Sequence, residues 1–244
     1  MVTTLYLVRH GETEGSETKR YKGSIDVPLS EKGVWQIKGS SAFIREHLRN
    51  ASFSRHMSYL KDIHGSSGEK AEDRISKSPE PNSEVQGLQT SGLQAVYTSD
   101  LGRAVRSAEI IAEPYGLEPV EIQDLRERSF GVWEGMTFSE IKEKYPEEFG
   151  AWANDPLRFN PIKGESTLKV KDRAIPALTK ILDNHTGESI AVVAHGGINR
   201  IILCHFLGIP LENIFRIEQD YAAVNIVELW DKYPVVKLIN GGQG

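Results

Sequence analysis

Apolar residues fall into short blocks separated by polar stretches rich in glycine and proline. Leu5–Val8, Ala95–Thr98 and Ile190–Ala194 form compact apolar runs that read as strands. Glu118–Ile122 reads as a further short strand. Val224–Trp230 and Val235–Ile239 read as two terminal strands around Asp231-Lys232-Tyr233-Pro234. Between these blocks the apolar spacing becomes helical. It predicts helices from about Glu31 to Arg49 with Ser30 as N-cap, over Leu101–Tyr115 up to Gly116, and over Thr137–Ala153. Two more are predicted over Glu165–Asn184, kinked by Pro176, and over Ile198–Leu207, ended by Gly208 and Pro210. Strands alternating with helices predict an α/β fold with a mostly parallel sheet.

One stretch breaks the alternation. From about Asn50 to Gly92 the chain is rich in serine and carries Pro79 and Pro81. At roughly 40 residues it exceeds an ordinary connection. It reads as an insertion in a single domain spanning residues 1–244, and Phe53, Met57, Tyr59, Leu60 and Ile63 suit a helix in its first part.

Composition changes this picture little. The chain is 39% hydrophobic and 26% charged, and a length of 244 residues buries a sizeable core. A formal net charge of -5 argues against nucleic acid or an anionic membrane as partner, while leaving room for a local cationic pocket. The one cysteine, Cys204, lies in an apolar run and reads as a buried, inert thiol. The first residues lack a secretory pattern, and no apolar stretch reaches the roughly 20 residues of a membrane span. The expected location is the cytoplasm.

Candidate chemistry sits just past three of the strands. Arg9 and His10 follow the first, Ser99, Asp100 and Arg103 the second, and His195, Gly196 and Gly197 the strand at Ile190–Ala194. Ligands of open α/β sheets bind outside the carboxyl ends of the strands, so these residues should share one crevice. Arginine's planar fork matches phosphate oxygens, and helix N-termini near Leu101 and Ile198 would add N–H donors. A neutral histidine is a competent phosphoryl acceptor once one ring nitrogen is hydrogen-bonded and the other is free. A histidine at a strand end can equally be structural; Arg9 beside it and the second histidine favour a site. Glu127 is the best candidate for the proton donor, the alternative being a surface carboxylate. Trp133, Phe138, Trp152 and Phe159 read first as packing residues, although aromatic residues at a mouth can stack on a base or sugar. Arg106 reads as a solvated helix residue, and His47, His56, His64, His185 and His205 as surface or core positions.

The sequence resembles the histidine phosphatase superfamily, which includes cofactor-dependent phosphoglycerate mutase. The resemblance rests on Leu7-Val8-Arg9-His10-Gly11-Glu12-Thr13, Asp26-Val27-Pro28-Leu29-Ser30 with Gly33, and Tyr97-Thr98-Ser99-Asp100-Leu101-Gly102-Arg103-Ala104. It continues through Leu125-Arg126-Glu127, Phe130-Gly131-Val132-Trp133-Glu134-Gly135 and Ala194-His195-Gly196-Gly197. It implies a three-layer α/β/α fold in which His10 is phosphorylated and Glu127 is general acid, then base. Arg9, Arg103, His195 and Gly196 would bind phosphate, and Thr13, Ser16, Lys22 and Gly23 the rest of the substrate. It also implies no metal and no cofactor. Gly164-Glu165-Ser166, Phe215-Arg216-Ile217 and Ala223-Val224-Asn225 are similar to α-ribazole phosphatases of cobalamin synthesis.

Two positions depart from the family's habit. Glu14 and then Gly15-Ser16 replace a common Trp-Asn pair, and Lys22 stands where glutamine usually precedes the loop glycine. The expected activity is hydrolysis of a small phosphorylated metabolite such as α-ribazole 5′-phosphate. A phosphoglycerate mutase-type transfer and a non-catalytic phospholigand-binding module are the alternatives. The oligomeric state stays open, with a homodimer among the options.

Overall fold

The computed structural model describes residues 1–64, 92–230 and 233–242, with the backbone alone for 51–64. A six-stranded sheet carries the order β3-β2-β4-β1-β5-β6. Its strands are β1 (Thr3–Arg9), β2 (Ala95–Thr98), β3 (Val120–Glu121), β4 (Ser189–Ala194), β5 (Val224–Leu229) and β6 (Pro234–Gly241). β1 to β4 run parallel; β5 is antiparallel to β1, and β6 to β5. Helices cover both faces, which gives the three α/β/α layers.

The apolar strand runs are explained by two-sided burial. Successive side chains of a strand point to opposite faces. Leu5 and Leu7 therefore join Ile190 and Val192 in one core, beneath α5 (Thr167–Asp183) and α6 (Gly196–Leu207). Tyr6 and Val8 join Ala191 and Val193 in the other, beneath α1 (Glu31–His64) and α2 (Gly102–Ala112). Cys204 belongs to the first core and is buried. Among the described residues no helix is long and apolar enough to cross a membrane.

Two helix predictions need correction. The helix from Glu31 does not stop near Arg49 but continues to His64, since neither proline nor glycine interrupts the chain between Ser40 and His64. Ser30 does cap it, accepting the Gly33 N–H at 3.0 Å. The helix expected over Thr137–Ala153 is two, α3 (Phe138–Lys144) and α4 (Pro146–Asn154), joined at Tyr145 with φ −131 and ψ 58. Proline pushes its predecessor out of the α region and donates no N–H, so Pro146 starts a new helix. The helix through Pro176 is continuous from Thr167 to Asp183. Most of the expected insertion at about 50–92, beyond the end of α1, lies outside the described residues.

α1 leaves β1 on one face of the sheet, and α6 leaves the adjacent β4 on the other. The chain therefore diverges at the carboxyl ends of two neighbouring strands, opening a crevice there. The turn after β1 rests against the start of α1, where Ser30 N–H donates to the Glu12 carbonyl at 3.0 Å. A Cβ on Gly33 would overlap that carbonyl, and one on Gly11 would overlap the carbonyl of Gly33. Gly33→Ala is expected to destabilise the protein by about 1–3 kcal/mol, as overpacking of a tight contact does. A lower urea midpoint at unchanged m-value would register it; an unchanged midpoint would contradict the close approach.

Candidate active site

Strand register brings the two histidines together. β1 and β4 pair with Arg9 opposite Ala194, so His10 and His195 follow as the next facing pair. His10 N–H continues the ladder by donating to the Ala194 carbonyl at 3.0 Å, and the ring centroids lie 5.1 Å apart. β2, pairing Thr98 with Val193, places Ser99 beside them.

His10 is buried, and its Nδ1 lies 2.8 Å from the Gly11 carbonyl. A carbonyl only accepts, so Nδ1 carries the proton and Nε2 keeps its lone pair. Burial first, then the charges of Arg9 and Arg103, push the His10 pKa well below its ordinary 6.5, so the ring is neutral. His195 is fully buried, with Nε2 2.6 Å from the Ser99 hydroxyl and Nδ1 without a protein partner. Burial, followed by His10 and Arg103, lowers its pKa in the same way.

Cations surround the pair. Arg9 donates to the Gln219 carbonyl at 2.5 Å, lies 3.9 Å over the Tyr221 ring and has a buried, unpartnered Nε. Arg103, in the first turn of α2, is buried and donates to the carbonyls of Ile25 and Gly23, each at 2.7 Å. Gly196 opens α6 and lines the same cleft. Glu127 is gripped by two backbone donors, Arg128 N–H to Oε1 at 2.9 Å and Gly197 N–H to Oε2 at 3.0 Å. A side chain at Gly197 would collide with that carboxylate.

At the rim, Lys22 donates to the Thr13 hydroxyl and, at 2.6 Å, to the Glu14 carbonyl. Thr13, Lys22 and Gly23 line the cleft, whereas Ser16 does not. The Ser16 hydroxyl instead pairs with Thr13 Oγ1 at 2.9 Å and accepts the Thr13 N–H at 3.2 Å.

A model of the histidine phosphatase superfamily (branch 1) matches residues 5–60 and 84–241. The chain belongs to this superfamily. Phosphoserine phosphatase 1 of Hydrogenobacter thermophilus is 27% identical over 97% of the chain and 91% of that protein. Among solved structures, Bacillus stearothermophilus YhfR has 27% identity and a TM-score of 0.71, covering 97% of this chain and 96% of its own. The α-ribazole phosphatase from Shigella flexneri, at 20% identity, shares the fold with a TM-score of 0.73 over 98% of this chain and 96% of its own. The protein is a phosphatase of the histidine-nucleophile type.

The cleft of this histidine phosphatase, about 280 Å³, extends beyond the cationic floor to an aromatic wall. Trp133, Phe138 and Trp152 line it, as do Phe130, Phe149 and Phe215. Three of the four aromatic residues read as packing thus face the cleft; the fourth, Phe159, stacks on Trp133 at 5.3 Å. Phe138, Phe149 and Trp152 form one cluster with centroids 4.8 to 5.8 Å apart. Arg200, Tyr221 and Arg20, which no sequence motif marks, also line the cleft. Arg200 carried a usable signal, lying one turn into the helix that opens at Gly196; Tyr221, in a loop far along the chain, carried none.

Among the described residues, the other charged and histidine side chains lie apart from the cleft. Arg106 is exposed and pairs with Glu109, and Asp100 faces away to a bidentate pair with Arg126. His47 meets Tyr6, His185 bridges Tyr97 and Glu188, and His205 is exposed. The side chains of His56 and His64 lie outside the described residues.

His10 and His195 are both neutral when folded but gain protons near pH 6.5 when unfolded. Their stabilising contribution is therefore full above pH 6.5 and is lost as pH falls from there toward their depressed folded values. Stability should decline below about pH 6.5 with a limiting slope near 1.4 kcal/mol per pH unit for each histidine. Urea unfolding at pH 7.5, 6.5 and 5.5 would measure it, and His10→Gln should flatten the slope. An identical slope in that variant would refute the assignment.

Proposed function

We propose that the protein hydrolyses a small phosphomonoester through a phosphohistidine at His10. Nε2 of His10 attacks phosphorus as the bond to the leaving oxygen breaks, and Glu127 gives that oxygen a proton. Water then attacks the phosphohistidine, Glu127 takes its proton, and phosphate leaves with His10 restored. Arg9, Arg103, His195 and the Gly196 backbone N–H hold the non-bridging oxygens. Such transfer depends mainly on positioning and charge stabilisation, which a cationic floor around a neutral nucleophile supplies. The observation that carries the reading is the His10 Nδ1–H bond to the Gly11 carbonyl, which leaves Nε2 unprotonated among arginines. Thr13, Lys22 and Gly23 flank the leaving group, with Ser16 buttressing Thr13 from behind.

For the substrate we infer a leaving group that carries a flat apolar ring. The aromatic wall supports this, and α-ribazole 5′-phosphate, an aromatic base on a ribose, is the specific candidate. Phosphoserine is the second reading, favoured by the similarity to the Hydrogenobacter enzyme. It asks for cations to meet a carboxylate. Arg20 is committed to Glu140, Arg128 to Glu165, Thr167 and Phe159, and Lys22 to Thr13 and Glu14. Arg200, bonded through Nε to the Ile217 carbonyl, is the cleft cation that would serve this reading.

In a phosphate-release screen, α-ribazole 5′-phosphate should show a higher kcat/KM than phosphoserine, and no 3-phosphoglycerate interconversion should occur. Trp152→Ala should raise KM for the ring-bearing substrate roughly tenfold, in line with about 1–3 kcal/mol for a stacked base. Preference for phosphoserine would discard the substrate but keep the chemistry. His10→Ala should reduce turnover to background and abolish acid-labile label after a brief pulse; a folded, active His10→Ala protein would end the mechanism itself.

A further inference from the structure

Glu127 sits on an irregular loop with no sheet partner, yet a proton donor must be held within a fraction of an ångström. Its carboxylate is fixed at one oxygen by α6, through Gly197 N–H, and at the other by its own loop, through Arg128 N–H. The loop's path therefore decides whether the carboxylate stays in reach of the leaving oxygen. Just before it, a short 3-10 turn over Gln123–Leu125 ends, and such an end leaves carbonyls without helical donors.

Arg173, on α5, takes up one of those carbonyls and the carbonyls of the two residues that follow the turn. Its Nη1 donates to Asp124 at 2.7 Å and Arg126 at 2.8 Å, and its Nη2 donates to the Glu127 carbonyl at 3.3 Å. The same guanidinium makes a bidentate pair with Glu165, at 3.0 and 2.9 Å. Glu165 Oε2 in turn accepts Ser129 N–H at 3.0 Å, and the Glu165 backbone N–H donates to the Ser129 carbonyl at 2.9 Å. The pair thus grips the loop on both sides of Glu127. Only a planar fork can meet three carbonyls and a carboxylate at once, which lysine cannot do.

We propose that Arg173, braced by Glu165, is a positioning residue that sets Glu127 for proton transfer to the leaving oxygen. The proposal rests on Glu127 as the general acid. An alkoxide leaving group needs that proton, whereas p-nitrophenolate departs nearly without it. A clamp acting through Glu127 therefore changes the two substrate classes unequally, while general loosening of the site lowers both.

The test compares kcat/KM for an alkyl phosphomonoester and for p-nitrophenyl phosphate in Arg173→Lys, Arg173→Met and Glu127→Gln. General acid catalysis contributes about 10²–10⁴, so Glu127→Gln should lose that much on the alkyl ester and far less on the aryl ester. Arg173→Lys, which keeps a charge beside Glu165, should lose about tenfold or more on the alkyl ester and under about threefold on the aryl ester. Arg173→Met should show the same split more strongly; if it does not fold, Arg173→Lys decides alone. Equal losses on both substrates in Arg173→Lys, with the split intact in Glu127→Gln, would overturn the clamp. Absence of the split in Glu127→Gln would instead overturn the acid assignment, and the clamp with it.

Discussion

The parallel pairing of β1 with β4 is the constraint on which the site depends. With Arg9 opposite Ala194, the ladder runs out of regular strand at His10 and His195 together. A slip of one residue would turn every side chain of the strand to the other face of the sheet. Leu5 and Leu7 would exchange cores with Tyr6 and Val8, so two filled cores lock the register that aligns the histidine pair. The site inherits its precision from the most buried part of the molecule.

Burial then sets the chemistry. Burial, and after it the charges of Arg9 and Arg103, holds the His10 pKa well below its ordinary value, and the Gly11 carbonyl decides which nitrogen keeps the lone pair. Backbone carbonyls hold the arginines at the shortest distances, Gln219 for Arg9, Gly23 and Ile25 for Arg103, with the Asp26 carboxylate farther off, 3.8 Å from Arg103. Carbonyls satisfy the guanidinium geometry without cancelling its charge, so positive potential remains for an anionic substrate. Glu127 follows the opposite logic and is held by N–H groups. The outer wall rests on α3 and α4, two short helices at the rim, with Phe138 and Phe149 among its aromatic side chains.

Much of this was legible in the chain. Apolar runs marked the central strands because both faces of this sheet are covered, and the chemistry of Arg9, His10, Arg103 and His195 stood at their ends. Other features were less visible. The helix suited to residues 53–63 is the continuation of α1 and not a separate element, because no proline or glycine stops the helix between Ser40 and His64. The apolar period runs unbroken through Pro146, although that proline ends one helix at Tyr145 and starts the next. Arg173 looked like any arginine on an amphipathic helix, since the carbonyls it gathers have no sequence signature.

The sequence by itself determined the alternation of strands and helices, the residue types of a phosphoryl site and their placement after strands. Those follow from local rules: side-chain period, glycine and proline at turns, and charge type. Only the tertiary structure decided the facing of His10 with His195, the tautomer of His10, the aromatic wall and the grip of Arg173 on the Glu127 loop. Each depends on atoms brought together from distant parts of the chain, often backbone carbonyls and N–H groups. Every residue carries those groups alike, so their role emerges only when the fold aims them.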